Sequence, residues 1–146
     1  MENDELRHIF LAEDNSADVY LVREAIRRTG LVYELHLASD GEEALSFLQR
    51  FGADLPCPHV MILDLNLPRN DGADLLKRWR EHPHCGQARI IVMTSSDAPA
   101  DRAMAAEHGA IFFRKPLDMD EFFRIGTLAK QLCDSQAAHR RSALPD

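Results

Sequence analysis

The sequence has no long hydrophobic run. Its longest apolar stretches are of the kind Val60-Met61-Ile62-Leu63, far shorter than the roughly 20 residues that a membrane-spanning helix needs. The N-terminal residues MENDELRH are acidic, whereas a secretory signal peptide begins basic and continues apolar. We therefore expect a protein that has no membrane segment and stays in the cytoplasm.

Cysteine is also scarce, with three residues at wide spacing, Cys57, Cys85 and Cys133. An odd number without a CxxC pair is typical of reduced thiols rather than of a disulfide framework. His82 and His84 stand near Cys85, but this short cluster beside a proline is expected to be a surface feature rather than a zinc site. The sequence therefore predicts reduced thiols without a chemical role.

Basic residues are outnumbered by acidic ones. The 17 Lys and Arg residues face 24 Asp and Glu residues, so the formal net charge is −7. Because sequence-independent binding to nucleic acid depends on clustered Lys and Arg, we expect no nucleic-acid partner, whereas a cation site is compatible with this charge.

The length of 146 residues suffices for one domain and not for two.

Short apolar segments alternate regularly with longer amphipathic ones. The pattern predicts strands at residues 8–13, 33–38, 59–64, 89–94 and 110–113. It predicts helices near residues 16–29, 41–51, 71–81 and 98–108 and from 118 to about 133. Ser16, Asp71 and Asp118 are the predicted helix starts, and Gly30 and Gly109 mark predicted helix ends. Strands and helices that alternate in this way form a parallel sheet with helices on both faces.

The predicted strands differ in how much of each is apolar. Residues 9–12, 60–63 and 90–93 are continuously apolar, as strands buried on both faces are. Residues 33–37 alternate apolar with polar side chains, which indicates an edge strand. We therefore predict a doubly wound α/β fold, a (βα)5 flavodoxin-like three-layer sandwich whose parallel sheet has the order 2-1-3-4-5.

Polar residues follow the ends of the predicted strands, namely Glu13, Asp14, Asp64, Thr94 and Lys115. Ligands of open parallel sheets bind outside the carboxyl ends of the strands, where the strand order reverses. Carboxylates gathered there repel one another unless a cation or a raised pKa compensates, and Mg²⁺ prefers such hard oxygen ligands. A carboxylate beside Mg²⁺, with a hydroxyl and a lysine in reach, is equipped to accept a phosphoryl group.

Taken in order, these motifs resemble those of response-regulator receiver domains, the aspartate-phosphorylated switches of two-component signalling. The matching segments are IFLAED, MILDLNLPRNDG, IIVMTSS and FFRKPLD. The resemblance extends over about residues 6–133 and leaves 1–5 and 134–146 as terminal extensions without an output domain. It implies a stand-alone response regulator with a chemotaxis-regulator-like fold. Such a phosphoacceptor catalyses only its own phosphorylation and dephosphorylation.

The resemblance implies a phosphoacceptor and a set of metal ligands. Asp64 would accept the phosphoryl group, and Glu13, Asp14 and Asp64 would hold Mg²⁺ together with the backbone carbonyl of Asn66. Glu13 stands where the family more often has Asp, but its longer side chain still offers an oxygen to the metal.

The resemblance also implies a conformational switch. Lys115 would bind a phosphoryl oxygen, Thr94 would hydrogen-bond the phosphoryl group, and the peptide bond between Lys115 and Pro116 would be cis. Phe112 occupies the aromatic switch position, where Tyr is frequent. Its inward rotation would repack the surface formed by the fourth helix, fifth strand and fifth helix, and ordinary core packing is the alternative role of Phe112.

Partners are expected to bind in trans. The family implies a sensor histidine kinase or a phosphotransfer protein as the phosphodonor, docked near Val19, Val22 and Ile26, for which core packing is the alternative. The segments FGADLPCPH and LDLNLPRNDG resemble receivers that serve phytochrome-type kinases. An unidentified downstream protein is expected. A homodimer through the surface of the fourth helix, fifth strand and fifth helix is possible in this family. The candidate dimer residues, which are also core candidates, are Phe113, Phe122, Phe123 and Ile125.

Other functions fit the sequence less well. A hydrolase with an aspartate nucleophile usually has a second acid two residues later, and Asn66 at that place cannot transfer a proton in this way. A nucleotide-binding module requires a glycine-rich loop after the first strand, and EDNSAD has none. The remaining alternative is a pseudo-receiver that is not phosphorylated and acts as a protein-interaction module.

Overall fold

A computed structural model describes residues 6–68 and 72–143, with side chains up to residue 136. The strands are β1 (Arg7–Ala12), β2 (Tyr33–Ala38), β3 (Val60–Asp64), β4 (Arg89–Thr94) and β5 (Ile111–Arg114). The helices are α1 (Ser16–Arg27), α2 (Gly41–Arg50), α3 (Gly72–Arg80), α4 (Pro99–Glu107), α5 (Met119–Phe122) and α6 (Arg124–Ala143). Among these helices, none is both long enough and apolar enough to cross a membrane.

The five strands form one parallel sheet in the order β2-β1-β3-β4-β5. This order confirms the predicted flavodoxin-like topology, with β1, β3 and β4 inside and β2 and β5 at the edges. Ile9 of β1 lies opposite Leu35 of β2 and Val60 of β3. Since the order reverses between β1 and β3, the crevice for a ligand lies at the carboxyl ends of these two strands.

Each face of the sheet carries its own hydrophobic core. One core combines Phe10 of β1 with Phe51 and Trp79 from the side of α2 and α3. The other combines Ile9 and its neighbours with buried side chains of α1, α5 and α6. Because complete burial of a large apolar side chain contributes about 1.5–3 kcal/mol, these two cores stabilise the sheet whose end loops carry the site.

Most predicted helix boundaries are confirmed to within two residues. Asp118 caps α5 as predicted, whereas α1 is capped by Asn15, one residue earlier than expected. Gly30 and Gly109 have φ values of 78° and 67°, the left-handed conformation in which glycine ends helices. The predicted helix start at Asp71 lies outside the described residues.

The predicted last helix is wrong in one respect, since it consists of two helices. Between α5 and α6, the amide of Gly126 donates to the carbonyl of Phe123 at 3.1 Å, three residues back instead of four. Gly126 also lies against the backbone of α1, where a Cβ atom would overlap the carbonyl of Ala25. This close approach of two helices explains the break. The second helix, α6, runs past Cys133 to Ala143.

The expectation of reduced thiols is wrong for two of the three cysteines. Cys57 and Cys85 form a disulfide, and Cys133 is free and buried. Cys57 precedes β3 and Cys85 precedes β4, and these strands are parallel neighbours. The segments that enter adjacent parallel strands lie side by side at one end of the sheet. A spacing of 28 residues along the chain gives no sign of this proximity.

Candidate functional site

Three carboxylates meet at the carboxyl ends of β1 and β3. Glu13 and Asp14 directly follow β1, and Asp64 is the last residue of β3. One oxygen atom from each of them lies within 4.8 Å of the other two. Glu13 and Asp64 are buried, whereas Asp14 is exposed. The structure therefore brings the three predicted acids together in a cluster that opens to solvent beside Asp14.

Lys115, directly after β5, neutralises part of this charge. Its Nζ atom lies 2.8 Å from Glu13 Oε1, 2.8 Å from Asp18 Oδ2 and 3.3 Å from Asp64 Oδ2. Burial by itself lowers the pKa of an ammonium group, but these carboxylates outweigh it and raise the pKa of Lys115 above its ordinary value. The lysine therefore stays charged at neutral pH.

Asp18 is a site residue that the sequence analysis missed. It lies in the first turn of α1, three residues after the capping residue Asn15. Since α1 begins where β1 ends, an acid in its first turn faces the same edge of the sheet as Glu13 and Asp64. The N-terminal end of a helix also favours a negative charge. This position in the first turn was the signal in the sequence.

Glu13 is the carboxylate that is least well satisfied. Burial raises the pKa of Glu13 to about 7, with a further contribution from Asp64 and opposition from Lys115 and the amide of Asn15. Its Oε2 accepts the Asn15 N–H at 3.1 Å. Among the described residues, its buried Oε1 finds no well-aligned hydrogen-bond donor, although Lys115 Nζ is close. A buried carboxylate oxygen that shares one ammonium with two other carboxylates fits Mg²⁺, a hard divalent cation.

The two oxygens of Asp64 have different environments. Oδ1 accepts the backbone N–H of Asn66 at 3.0 Å, and Oδ2 faces Lys115. The side chain of Asp64 is only 5% exposed, so the carboxylate is held in one orientation. Asn66 itself is exposed, and its backbone carbonyl as a metal ligand stays a prediction.

Thr94 lies on β4 and Phe112 on β5, the two strands that follow β3 in the order of the sheet. Thr94, the last residue of β4, is fully buried, and its Oγ1 accepts the N–H of Ser96 at 3.1 Å. Phe112 of β5 is half-buried, and the guanidinium of Arg102 in α4 covers its ring at 4.4 Å from the centroid. The switch role of Phe112 stays a prediction, because its partial burial agrees both with that role and with packing at the core boundary.

The expected cis peptide bond is absent, because Lys115 and Pro116 are joined by a trans bond. The trans form of an X–Pro bond is intrinsically favoured by about 0.5–1 kcal/mol. Lys115 is already positioned without a cis bond, since its backbone N–H donates to the Thr94 carbonyl at 2.7 Å and its Nζ is held by carboxylates.

Several residues considered for docking belong to the cores instead. Val22 and Ile26 of α1 are fully buried, and Val19 is half-buried. Phe122 and Ile125, two candidates for a dimer surface, are buried as well. The alternative of core packing is therefore confirmed for these four buried side chains, whose apolar spacing is that of a helix face turned toward a sheet.

The site can be compared with known proteins. The model of the response regulator receiver domain matches residues 9–125. Response regulator Rcp1 of Synechocystis sp. is 32% identical over 120 residues, which are 80% of this chain and 82% of Rcp1. The crystal structure of the phosphorylated cyanobacterial phytochrome response regulator RcpA is similar, with a TM-score of 0.80 and 28% identity over 90% of this chain and 96% of RcpA. The Mn²⁺-bound structure of Rcp1 has a TM-score of 0.77 and 29% identity over 86% and 92% of the two chains. Because the family match spans most of the sequence, including the acidic strand ends, the chain belongs to the response regulator receiver domains of two-component signalling.

Proposed function

We propose that this receiver domain accepts a phosphoryl group on Asp64 in a Mg²⁺-dependent reaction and signals by phosphorylation-dependent protein binding. The observation that carries the proposal is the environment of Asp64 Oδ2. This buried oxygen lies 3.3 Å from Lys115 Nζ, within a cluster that also contains Glu13 and Asp14.

The two oxygens of Asp64 suit a nucleophile. The N–H of Asn66 holds Oδ1, so Oδ2 is the atom available for attack. Its attack on the phosphorus of a phosphohistidine forms a P–O bond while the P–N bond breaks, and the electron pair of the P–N bond returns to the imidazole. Lys115 stabilises the negative charge on the phosphoryl oxygens. Bound Mg²⁺, held by Glu13, Asp14 and Asp64, would supply further positive charge to these oxygens.

A chain of hydrogen bonds connects this site to α4. Thr94 Oγ1 accepts the Ser96 N–H, and Ser96 Oγ accepts the N–H of Ala98, the capping residue of α4, at 3.1 Å. Further along α4, Arg102 covers Phe112. A movement of Thr94 toward the phosphoryl group would pull on the start of α4 and change the packing of Phe112. We propose that this coupling shifts the population of two packings of the surface formed by α4, β5 and the last two helices, α5 and α6.

The proposed phosphodonor is a sensor histidine kinase, or a phosphotransfer protein, that acts in the cytoplasm. Similarity to RcpA, a cyanobacterial phytochrome response regulator, supports a phytochrome-type kinase. The downstream partner would bind the surface of α4, β5, α5 and α6, and a second copy of the chain is one candidate. The outer edge of β5 supports this placement, because β5 pairs with β4 on one side only within the described sheet.

The proposal can be tested with a small-molecule phosphodonor. The protein is incubated with acetyl phosphate and Mg²⁺, and intact mass spectrometry counts the added phosphoryl groups. We expect one adduct on the wild type, none on Asp64→Asn, and none when EDTA removes the metal. Asp54→Asn, which changes an exposed aspartate that pairs with Arg50, is the matched control and should be labelled normally.

Two outcomes would contradict the proposal. A wild type that stays unlabelled would favour the pseudo-receiver that acts only as a protein-interaction module. An adduct that persists in Asp64→Asn would place the phosphoryl group on another residue.

A further inference from the structure

A second cluster of metal-binding side chains lies at the amino end of the sheet, opposite the carboxylate site. It consists of His8 of β1 with Glu34 and His36 of the edge strand β2. His8 and Glu34 are opposite each other in the register, and His36 is on the same face as Glu34 because side chains alternate along a strand. At about 3.3 Å per residue, the five residues from His8 to Glu13 separate the two clusters by about 16 Å.

The spacing of the ligand atoms is that of a metal site. His8 Nδ1 lies 3.3 Å from His36 Nε2 and 3.5 Å from Glu34 Oε2. The chosen atoms of all three residues lie within 4.8 Å of one another. In a tetrahedral Zn²⁺ site with Zn–N bonds of about 2.0–2.1 Å, ligand atoms are about 3.3–3.4 Å apart. The structure therefore already holds the two imidazole nitrogens at the separation that zinc requires.

Glu34 and His36 compete for one nitrogen atom of His8. Both Glu34 Oε2 and His36 Nε2 approach the same atom, His8 Nδ1. A neutral imidazole nitrogen carries either one proton or one lone pair, so His8 Nδ1 can pair well with only one of these two neighbours within the protein. A cation between the three atoms would satisfy all of them at once.

Aromatic contacts hold the two imidazole rings in place. The ring of His36 meets Phe47 and Phe51 edge-on, with centroids 6.0 Å and 5.5 Å away. The ring of His8 is stacked between His36 and His59, at 5.6 Å and 6.4 Å. These contacts keep the two imidazole nitrogens beside each other.

The cluster is also accessible, because β2 is the edge strand and the side chain of Glu34 is 56% exposed. Two imidazoles and one carboxylate with an open fourth position form a donor set typical of zinc, whereas Mg²⁺ prefers oxygen ligands.

We propose that His8, Glu34 and His36 bind one Zn²⁺ ion, which links the edge strand β2 to β1, with water as the fourth ligand. The ion is separate from the Mg²⁺ at Asp64, and the site does not depend on phosphorylation.

Zinc binding is measured with tag-free protein by competition against a chromophoric zinc chelator, in excess Mg²⁺ so that the carboxylate site is occupied. We expect one Zn²⁺ per chain and a higher melting temperature with zinc. Since even the loss of a residue that only supports a metal ligand weakens binding about 10–100-fold, His36→Gln should weaken it by about 100-fold or more. Glu34→Gln, which changes an exposed side chain and should leave the fold intact, should weaken it by about 10-fold or more. Both variants should lose most of the zinc-dependent rise in melting temperature.

His84→Gln is the matched control, because it removes a histidine from the neighbourhood of His82 and Cys85. It should bind zinc like the wild type. Three results would overturn the proposal: no zinc binding by the wild type in excess Mg²⁺, unchanged affinity in both Glu34→Gln and His36→Gln, or loss of binding in His84→Gln. Co²⁺ provides a second measurement, since the visible absorption of a tetrahedral ion should appear with the wild type and disappear with Glu34→Gln.

Discussion

Replacing Glu13 with glutamine should stabilise the metal-free protein above pH 7. Burial raises the pKa of Glu13 to about 7, whereas in the unfolded chain a glutamate titrates near its ordinary value of about 4.3. Between these two values the folded protein binds more protons than the unfolded chain. The free energy of unfolding therefore falls as the pH rises through this window and levels off above about pH 7.

The size of the effect follows from the shift. One pKa unit corresponds to about 1.4 kcal/mol, so the ionisation of Glu13 should cost the fold about 2–3 kcal/mol between pH 5 and pH 8. Glutamine does not ionise and keeps the shape of the side chain. Lys115 keeps Asp18 and Asp64 as partners in the variant, so no buried cation is left without a counter-charge.

The assay is denaturant unfolding in EDTA at several values between pH 5 and pH 8. Other groups, including the histidines, titrate in this range, and the difference between wild type and Glu13→Gln removes their contribution. The difference should grow with pH in favour of the variant. Glu107→Gln, which changes an exposed glutamate at the end of α4, should leave the pH profile unchanged. The reasoning is refuted if wild type and Glu13→Gln lose stability in parallel.

Three further perturbations test the site and the fold. Lys115→Met should lower the free energy of unfolding by about 3–5 kcal/mol at pH 8, because buried carboxylates lose their cation. The loss should be smaller at pH 5, where Glu13 is protonated, and equal losses at both pH values would contradict this. Reduction of the Cys57–Cys85 disulfide, which spans 28 residues, should lower the free energy of unfolding by about 3–4 kcal/mol, and an unchanged melting temperature with a reductant would argue against the disulfide. Gly126→Ala places a Cβ atom against the backbone of α1 and should lower the free energy of unfolding by about 1–3 kcal/mol or more, as measured by denaturant titration. An unchanged free energy of unfolding would show that α1 and α6 can separate at little cost.

The order of the sheet was predictable because it depends on local composition. The interior strands are continuously apolar and β2 alternates, so the sequence itself carries the information about burial. The acidic cluster was predictable for a related reason. Glu13, Asp14 and Asp64 stand at strand ends, and parallel strands have their carboxyl ends at one edge. Both predictions need only the strands and their order.

Other features depend on distances between segments that no local pattern records. The disulfide joins two loops that become neighbours only after β3 and β4 pair. The cluster of His8, Glu34 and His36 depends on the register of β1 against β2, because a shift by one residue would turn one set of side chains to the other face. The division of the last helix at Phe123 depends on how closely Gly126 approaches α1.

The charge of the carboxylate site gives a reason to expect metal dependence that is independent of family resemblance. Four carboxylates, those of Glu13, Asp14, Asp18 and Asp64, face one ammonium, that of Lys115, which leaves a net charge of −3 when all are ionised. A phosphoryl group on Asp64 replaces one carboxylate charge with about −1.5 to −2, so the site would become more negative still while remaining largely buried. A divalent cation removes two of these charges, and protonation of Glu13 removes one. Without a metal, phosphorylation of Asp64 should therefore raise the pKa of Glu13 further. Since Glu13 then holds its proton more readily, we expect phosphorylation to release fewer protons and to be less favourable as the pH rises.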